Sequence, residues 1–173
     1  MKDITVFQGD GIGPEIIEQV CAILKATNAP LRFDFQIAGK KAFEQGFKTG
    51  VTDSALSSIY HSKTVLKGPL ETPVGYGDRS ANVSLRKLCQ TYANIRPAKH
   101  FPHVNSHFQD VPIDMIVIRE NLEDLYAGIE HQQTPSVAQS LKVMTTLGCE
   151  RICRFAFEYA LSLGRQKVTC VTK

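Results

Sequence analysis

The sequence holds 173 residues, 43% hydrophobic and 21% charged, with 12 Gly and 8 Pro. That composition is globular and long enough to bury a core, which excludes a disordered chain and a staple-dependent mini-protein. Twenty Lys and Arg against 17 Asp and Glu leave a net charge of +3, too mild for a nucleic-acid or anionic-membrane surface.

No apolar run approaches the ~18 residues of a membrane helix. Met1 leads almost directly into a β-rich segment, without a signal or transit pattern, so the expected location is cytoplasmic. Cys21, Cys89, Cys149, Cys153 and Cys170 form no C-x-x-C pair and read as reduced core thiols.

In chain order, Ile4-Thr5-Val6-Phe7 is a short strand. Gly9-Asp10-Gly11-Ile12-Gly13-Pro14-Glu15 then turns the chain into a helix over 14–26, with Pro at the first helical position and Glu where it suits the helix dipole. Ile16, Ile17, Val20, Ile23 and Leu24 recur at helical spacing as its expected buried face, and Asp10 is expected to bond the turn before it. Leu31, Phe33, Phe35 and Ile37 alternate with Arg32, Asp34 and Gln36, the period-two pattern of a half-buried strand.

Thr52 or Asp53 caps a short helix carrying Leu56 and Ile59, and Thr64-Val65-Leu66 is a buried strand stopped by Gly68-Pro69. Residues 68–80 read as loop, 82–90 as helix and 92–96 as strand, and the run from Ile113 to Ile118 is the clearest buried strand. The stretch 98–112, with Pro102 and few apolar residues, marks a boundary or crossover. A helix over 146–163 places Leu147, Ile152, Phe155, Ala156, Tyr159, Ala160 and Leu163 on one face, with Gly164 to end it. Val168-Thr169-Cys170-Val171 is the last predicted strand. This alternation predicts an α/β fold with a largely parallel sheet flanked by helices, whose ligands bind beyond the carboxyl ends of the strands. Because the last strand reaches Lys173 without a covering helix, the chain is expected to be cut mid-fold.

The densest polar segment runs from Leu70 to Leu88, a Gly-rich loop entering a helix. Backbone donors, hydroxyls and a helix N-terminus suit an anion there, though an ordinary surface loop has the same composition. Arg96 and Arg119 each end a predicted strand, so with Arg86 they can converge at one sheet edge as three planar forks for a polycarboxylate; three unrelated solvated arginines are the alternative. His100, His103 and His107 have a spacing open to a metal, but Pro102 and the lack of a helix pattern favour a solvated loop. Cys149 and Cys153, one helical turn apart, read better as buried thiols than as a redox pair. The glycines at 9, 11 and 13 do not make G-x-G-x-x-G.

Taken jointly, the Gly9 to Glu15 turn, Thr72-Pro73, Ser80-x-Asn82-x-x-Leu85-Arg86, Asn94-Ile95-Arg96-Pro97, Arg119-Glu120-Asn121-x-Glu123-x-x-Tyr126-x-Gly128 and Lys167-Val168-Thr169-x-Val171-x-Lys173 resemble the β-decarboxylating dehydrogenases. This is the family of isocitrate and isopropylmalate dehydrogenases. Ser80 and Asn82 point to the isocitrate branch, since a hydroxyl and an amide satisfy a carboxylate where the other branch needs apolar side chains.

The resemblance implies that Arg86, Arg96 and Arg119 grip the carboxylates of isocitrate, that Ser80 and Asn82 receive the distal one, and that Thr72 lies near the nicotinamide. Tyr126 and Lys173 match the acid/base pair, with Lys173 serving the partner's site in a homodimer. The implied reaction is hydride transfer to NAD or NADP, then decarboxylation assisted by Mg²⁺ or Mn²⁺. The metal aspartates and the adenosine-binding loops are expected downstream of Lys173. No metal ligand is therefore assigned among Asp10, Glu120, Glu123 and Asp124. Residues 1–98 are expected to begin the large domain and 99–173 the dimer-forming one. A related 2-hydroxy-3-carboxy acid such as homoisocitrate, or a noncatalytic fragment, remain the alternatives.

Overall fold

The computed structural model describes residues 1–71, 80–105, 107–108 and 110–171. The chain divides into two compact units, Met1–Cys89 and Gln90–Lys173.

The first unit contains β1 (Lys2–Phe7), α1 (Gly13–Ala26), β2 (Leu31–Gln36), α2 (Lys40–Glu44), α3 (Asp53–Ser62), β3 (Val65–Lys67) and α4 (Ala81–Leu88). Its sheet has the order β2-β1-β3 and both pairings are parallel. β1 is central, and alternation along it assigns the two faces. Ile4 and Val6 pack with Ile17 and Cys21 of α1. Phe7 packs on the other side with Ala55 and Ile59 of α3 and Ala81 and Leu85 of α4. Thr5 is fully buried among these apolar groups, and its hydroxyl is satisfied by Ser58 at 2.6 Å and Ser62 at 2.8 Å. Truncating a side chain such as Phe7 to Ala costs about 3–5 kcal/mol in a core of this kind.

Most helix boundaries follow their expected signals. Thr52 Oγ1 accepts from Ala55 N at 3.2 Å and caps α3. The expected face of α1 is corrected in part: Ile17 and Cys21 are buried with Gly13, whereas Ile16 and Ile23 are exposed. The contact stripe on β1 is narrower than the apolar stripe of the helix.

The second unit contains β4 (Ala93–Lys99), β5 (Asp114–Glu120), β6 (Asp124–Thr134), β7 (Val137–Val143) and α5 (Thr146–Ser162). β4 pairs antiparallel with β5, and β6 antiparallel with β7. The architecture is mixed α/β, with its parallel sheet in the first unit. In place of the expected buried strand, β5 carries Met115 and Val117 exposed on a two-stranded ladder. Residues 168–171 form no strand, because no described segment pairs with them. Cys149 and Cys153 are exposed rather than core thiols. Gly164 does end α5: at φ +65 it lets Arg165 N reach Ala160 O at 2.9 Å. The unit division after Cys89 keeps β4 with its partner β5; the expected boundary at 98/99 concerns the complete family fold.

Candidate functional site

The first group of site residues lies at the carboxyl ends of β1 and β3, where α/β sheets bind ligands. Gly9, at φ +82, lets the turn after β1 approach the chain after β3 so closely that a Cβ would collide with the Pro69 carbonyl. Asp10 N then donates to Pro69 O at 2.7 Å. The Asp10 carboxylate does not serve its own turn, as expected from the sequence, but accepts from Lys40 N at 3.2 Å and Glu71 N at 2.8 Å. Its main-chain carbonyl makes the local bond, to Gly13 N at 2.9 Å.

Ser80 stands at the N-cap position of α4, its carbonyl accepting from Ser84 N at 2.9 Å. Asn82 Nδ2 donates to Leu70 O at 3.2 Å. Asn82 and Arg86 are four residues apart and so share one face of the helix. Lys67 Nζ donates to Gly68 O at 3.1 Å. Partial loss of water around its ammonium pushes the Lys67 pKa down, and the charge of Arg86 acts in the same direction. Ser80 thus heads α4 while Arg86 stands in its last turn, and Lys67 is exposed at the end of β3; cations of this kind suit an anion.

The second group lies on the β4–β5 ladder and β6. Asn94 is opposite Arg119 and Arg96 opposite Val117, which puts Arg96 and Arg119 on one face. Arg96 is exposed, its Nε donating to Asn94 Oδ1 at 3.3 Å. Arg119 is half-buried, and its Nη2 donates to Tyr126 Oη at 2.5 Å. Its guanidinium carbon lies 5.2 Å from the Tyr126 ring centroid, within cation–π range.

The acids of the same motif hold the corner between strands. Both Glu120 oxygens accept from Leu122 N at 3.0 Å, and Oε2 also accepts from Glu123 N at 2.9 Å. Glu123 accepts from Thr145 N at 2.9 Å and Thr145 Oγ1 at 2.5 Å, and Thr145 Oγ1 accepts from Gly148 N at 3.0 Å. These bonds from Thr145, with the charge of Arg151, hold the Glu123 carboxyl below its usual range. A side chain at Gly148 would collide with that carboxylate.

The structure therefore gathers Ser80, Asn82 and Arg86 in one unit, and Arg96, Arg119 and Tyr126 in the other. Thr72 and Lys173 lie outside the described residues. Among the described residues, no three His, Cys, Asp or Glu side chains are grouped as metal ligands, and no helix is long and apolar enough to cross a membrane. Sequence reasoning missed the reach of Asp10 and the tie from Glu123 to Thr145. Only the last left a signal, since Thr145 precedes the α5 pattern as an N-cap residue should.

Comparison with known proteins gives a consistent set of relatives. Residues 3–173 match the family model for isocitrate/isopropylmalate dehydrogenase. An isocitrate dehydrogenase (NADP) of Thermus thermophilus is 55% identical over 99% of this chain and 35% of its own. A mitochondrial regulatory subunit of an isocitrate dehydrogenase (NAD) of Dictyostelium discoideum is 42% identical over 99% of this chain and 46% of its own. Among solved structures, isocitrate dehydrogenase from Methylococcus capsulatus superposes with a TM-score of 0.88 at 42% identity, covering 96% of this chain and 49% of that one. A protein of solved structure from Thermus thermophilus gives 0.91 at 55%, covering 94% and 33%. The chain spans about a third to a half of the length of these relatives.

Proposed function

Because the chain belongs to the isocitrate/isopropylmalate dehydrogenase family over residues 3–173, a family of oxidoreductases, we propose that it is part of an isocitrate dehydrogenase. The complete protein oxidises isocitrate and decarboxylates it to 2-oxoglutarate. Ser80 and Asn82 receive the distal carboxylate, and Arg86, Arg96 and Arg119 grip the others. Thr72 lies beside the nicotinamide of NAD or NADP. Tyr126 and Lys173 handle protons, Lys173 in the site of a second copy in a cytoplasmic homodimer. The proposed domain boundary of the complete fold is at 98/99. Mg²⁺ or Mn²⁺ is the proposed ion, but the described residues do not form a set of ligands for it.

The observation that carries this reading is the bond between Arg119 and Tyr126. Arginine has donors only, so Tyr126 Oη is the acceptor and the phenol's own proton is directed away from the guanidinium. One cation thereby holds substrate carboxylate and orients the proton donor beside it, the arrangement general acid catalysis needs. Names of relatives support isocitrate as the substrate.

Ser80→Asp in the complete protein tests the substrate assignment. A carboxylate about 4 Å from the substrate's own costs about 4 kcal/mol at an effective dielectric of ~20, so kcat/KM for isocitrate should fall about 10³-fold, far more than in Ser80→Ala. Unchanged constants would remove this loop from the substrate site. A second reading, isocitrate binding without turnover, is favoured by the regulatory subunit among the relatives; saturable isocitrate binding with no cofactor reduction would select it.

A further inference from the structure

One peptide unit in the first compact unit is held from both sides by side chains. Its carbonyl, Leu70 O, accepts from Asn82 Nδ2 at 3.2 Å, and its N–H, on Glu71, donates to Asp10 Oδ2 at 2.8 Å. The same carboxylate oxygen accepts from Lys40 N at 3.2 Å, while Asp10 N donates to Pro69 O at 2.7 Å. Leu70 itself is buried in the core with Phe7 and Leu85. Gly39, at φ +80, is packed so closely that a Cβ would collide with the Asp10 carboxylate. A single carboxylate oxygen thus joins the turn after β1, the start of α2 and the chain after β3.

We infer that Asp10 is a positioning residue for the dehydrogenase reaction: with Asn82, it clamps the Leu70–Glu71 peptide and so fixes the point from which the chain carrying Thr72 departs. The inference rests on the proposed roles of Thr72 and Asn82. Charge-assisted bonds from two backbone N–H groups make Asp10 a stiffer anchor than a neutral acceptor. Asn82 cannot move toward or away from a substrate without disturbing the same peptide. Hydride transfer is sensitive to this placement, since a shift of about 1 Å can cost ~10²-fold in rate.

The test compares Asp10→Ala and Asp10→Asn in the complete protein, reading kcat, isocitrate affinity and amide exchange at Glu71. Asp10→Ala removes the acceptor, so kcat should fall about 30–100-fold while isocitrate affinity stays within about threefold, because the arginines are untouched. Asn retains an acceptor oxygen, so Asp10→Asn should recover at least about tenfold of that loss. Glu71 N–H should exchange at least about tenfold faster in the Ala variant and stay protected in the Asn variant. Unchanged kcat per folded molecule, a loss equal to the unfolded fraction, or unchanged Glu71 exchange in Asp10→Ala would each overturn the inference. Absence of isocitrate turnover in the unsubstituted protein is a distinct result: it overturns the functional reading on which the role depends, whatever the amide shows.

Discussion

Tyr126 lies two residues beyond Asp124, which takes φ +64 at the start of β6. That left-handed residue turns the chain so that the phenol meets Arg119 from the end of β5. Tyr126→Phe keeps the ring over the guanidinium and deletes the hydroxyl proposed as proton donor. In the complete protein, kcat should fall about 10²-fold with isocitrate affinity nearly kept; measured turnover equal to that of the parent would reduce Tyr126 to a packing residue. The spacing of Arg119 and Tyr126 in the motif makes both legible as site residues, but not as partners, because a motif states order and not contact. The role of Asp10 is hidden for a related reason. Its partners are 30 and 61 residues away, and only the folded chain brings them to its carboxylate.

At the scale of elements, α5 shows how a helix terminus is tied to the strand corner. Thr145 caps the helix through Gly148 N, and Glu123 holds Thr145 by two bonds. Thr145→Ala removes the cap and one acceptor's partner, so it should destabilise the chain by about 1–2 kcal/mol, read as a lowered midpoint in urea at constant slope. Acid should have a related effect. The folded pKa of Glu123 is depressed from 4.5, so its contribution is present above the unfolded value and is lost as pH falls through the folded one. The stability difference between the parent and Glu123→Gln should accordingly be full above about pH 5 and vanish in stronger acid. A difference that grows as pH falls would contradict this cap.

Apolar periodicity and end signals make α1, α3 and α5 legible in the sequence. The β6–β7 hairpin escapes such reading because all of residues 130–140 are exposed, leaving no alternation, and only Pro135-Ser136 hints at its turn. The segment 168–171 fails in the opposite direction: it has the β-branched residues of a strand but no pairing partner among the described residues.

Across the whole molecule, the two units differ in how they are stabilised. All the buried hydrophobic side chains of the described residues lie between Ile4 and Leu85, so the parallel sheet and its helices form a core that composition and pattern anticipate. Among the described residues of the second unit only Asn121 and Gly148 are buried, while Val117, Leu125, Ile129, Leu141 and Leu161 are exposed. Its order comes from paired strands, the Arg165–Asp114 ion pair at 2.6 Å and the rings of Tyr92, Phe155 and Tyr159. The sequence reads Arg86, Arg96 and Arg119 as one converging set; the structure assembles Ser80, Asn82 and Arg86 within the first unit and Arg96, Arg119 and Tyr126 within the second.

The substrate of the complete protein is the central claim, and steady-state reduction of NAD and NADP with Mg²⁺ tests it most directly, with isocitrate, 3-isopropylmalate and homoisocitrate varied in turn. The proposed roles of Ser80, Asn82 and the three arginines give isocitrate the highest kcat/KM, by about 10²-fold or more over the isopropyl compound, because the latter presents an apolar group to a hydroxyl and an amide. Equal or faster turnover of 3-isopropylmalate, or no turnover of isocitrate with either cofactor, would contradict the assignment.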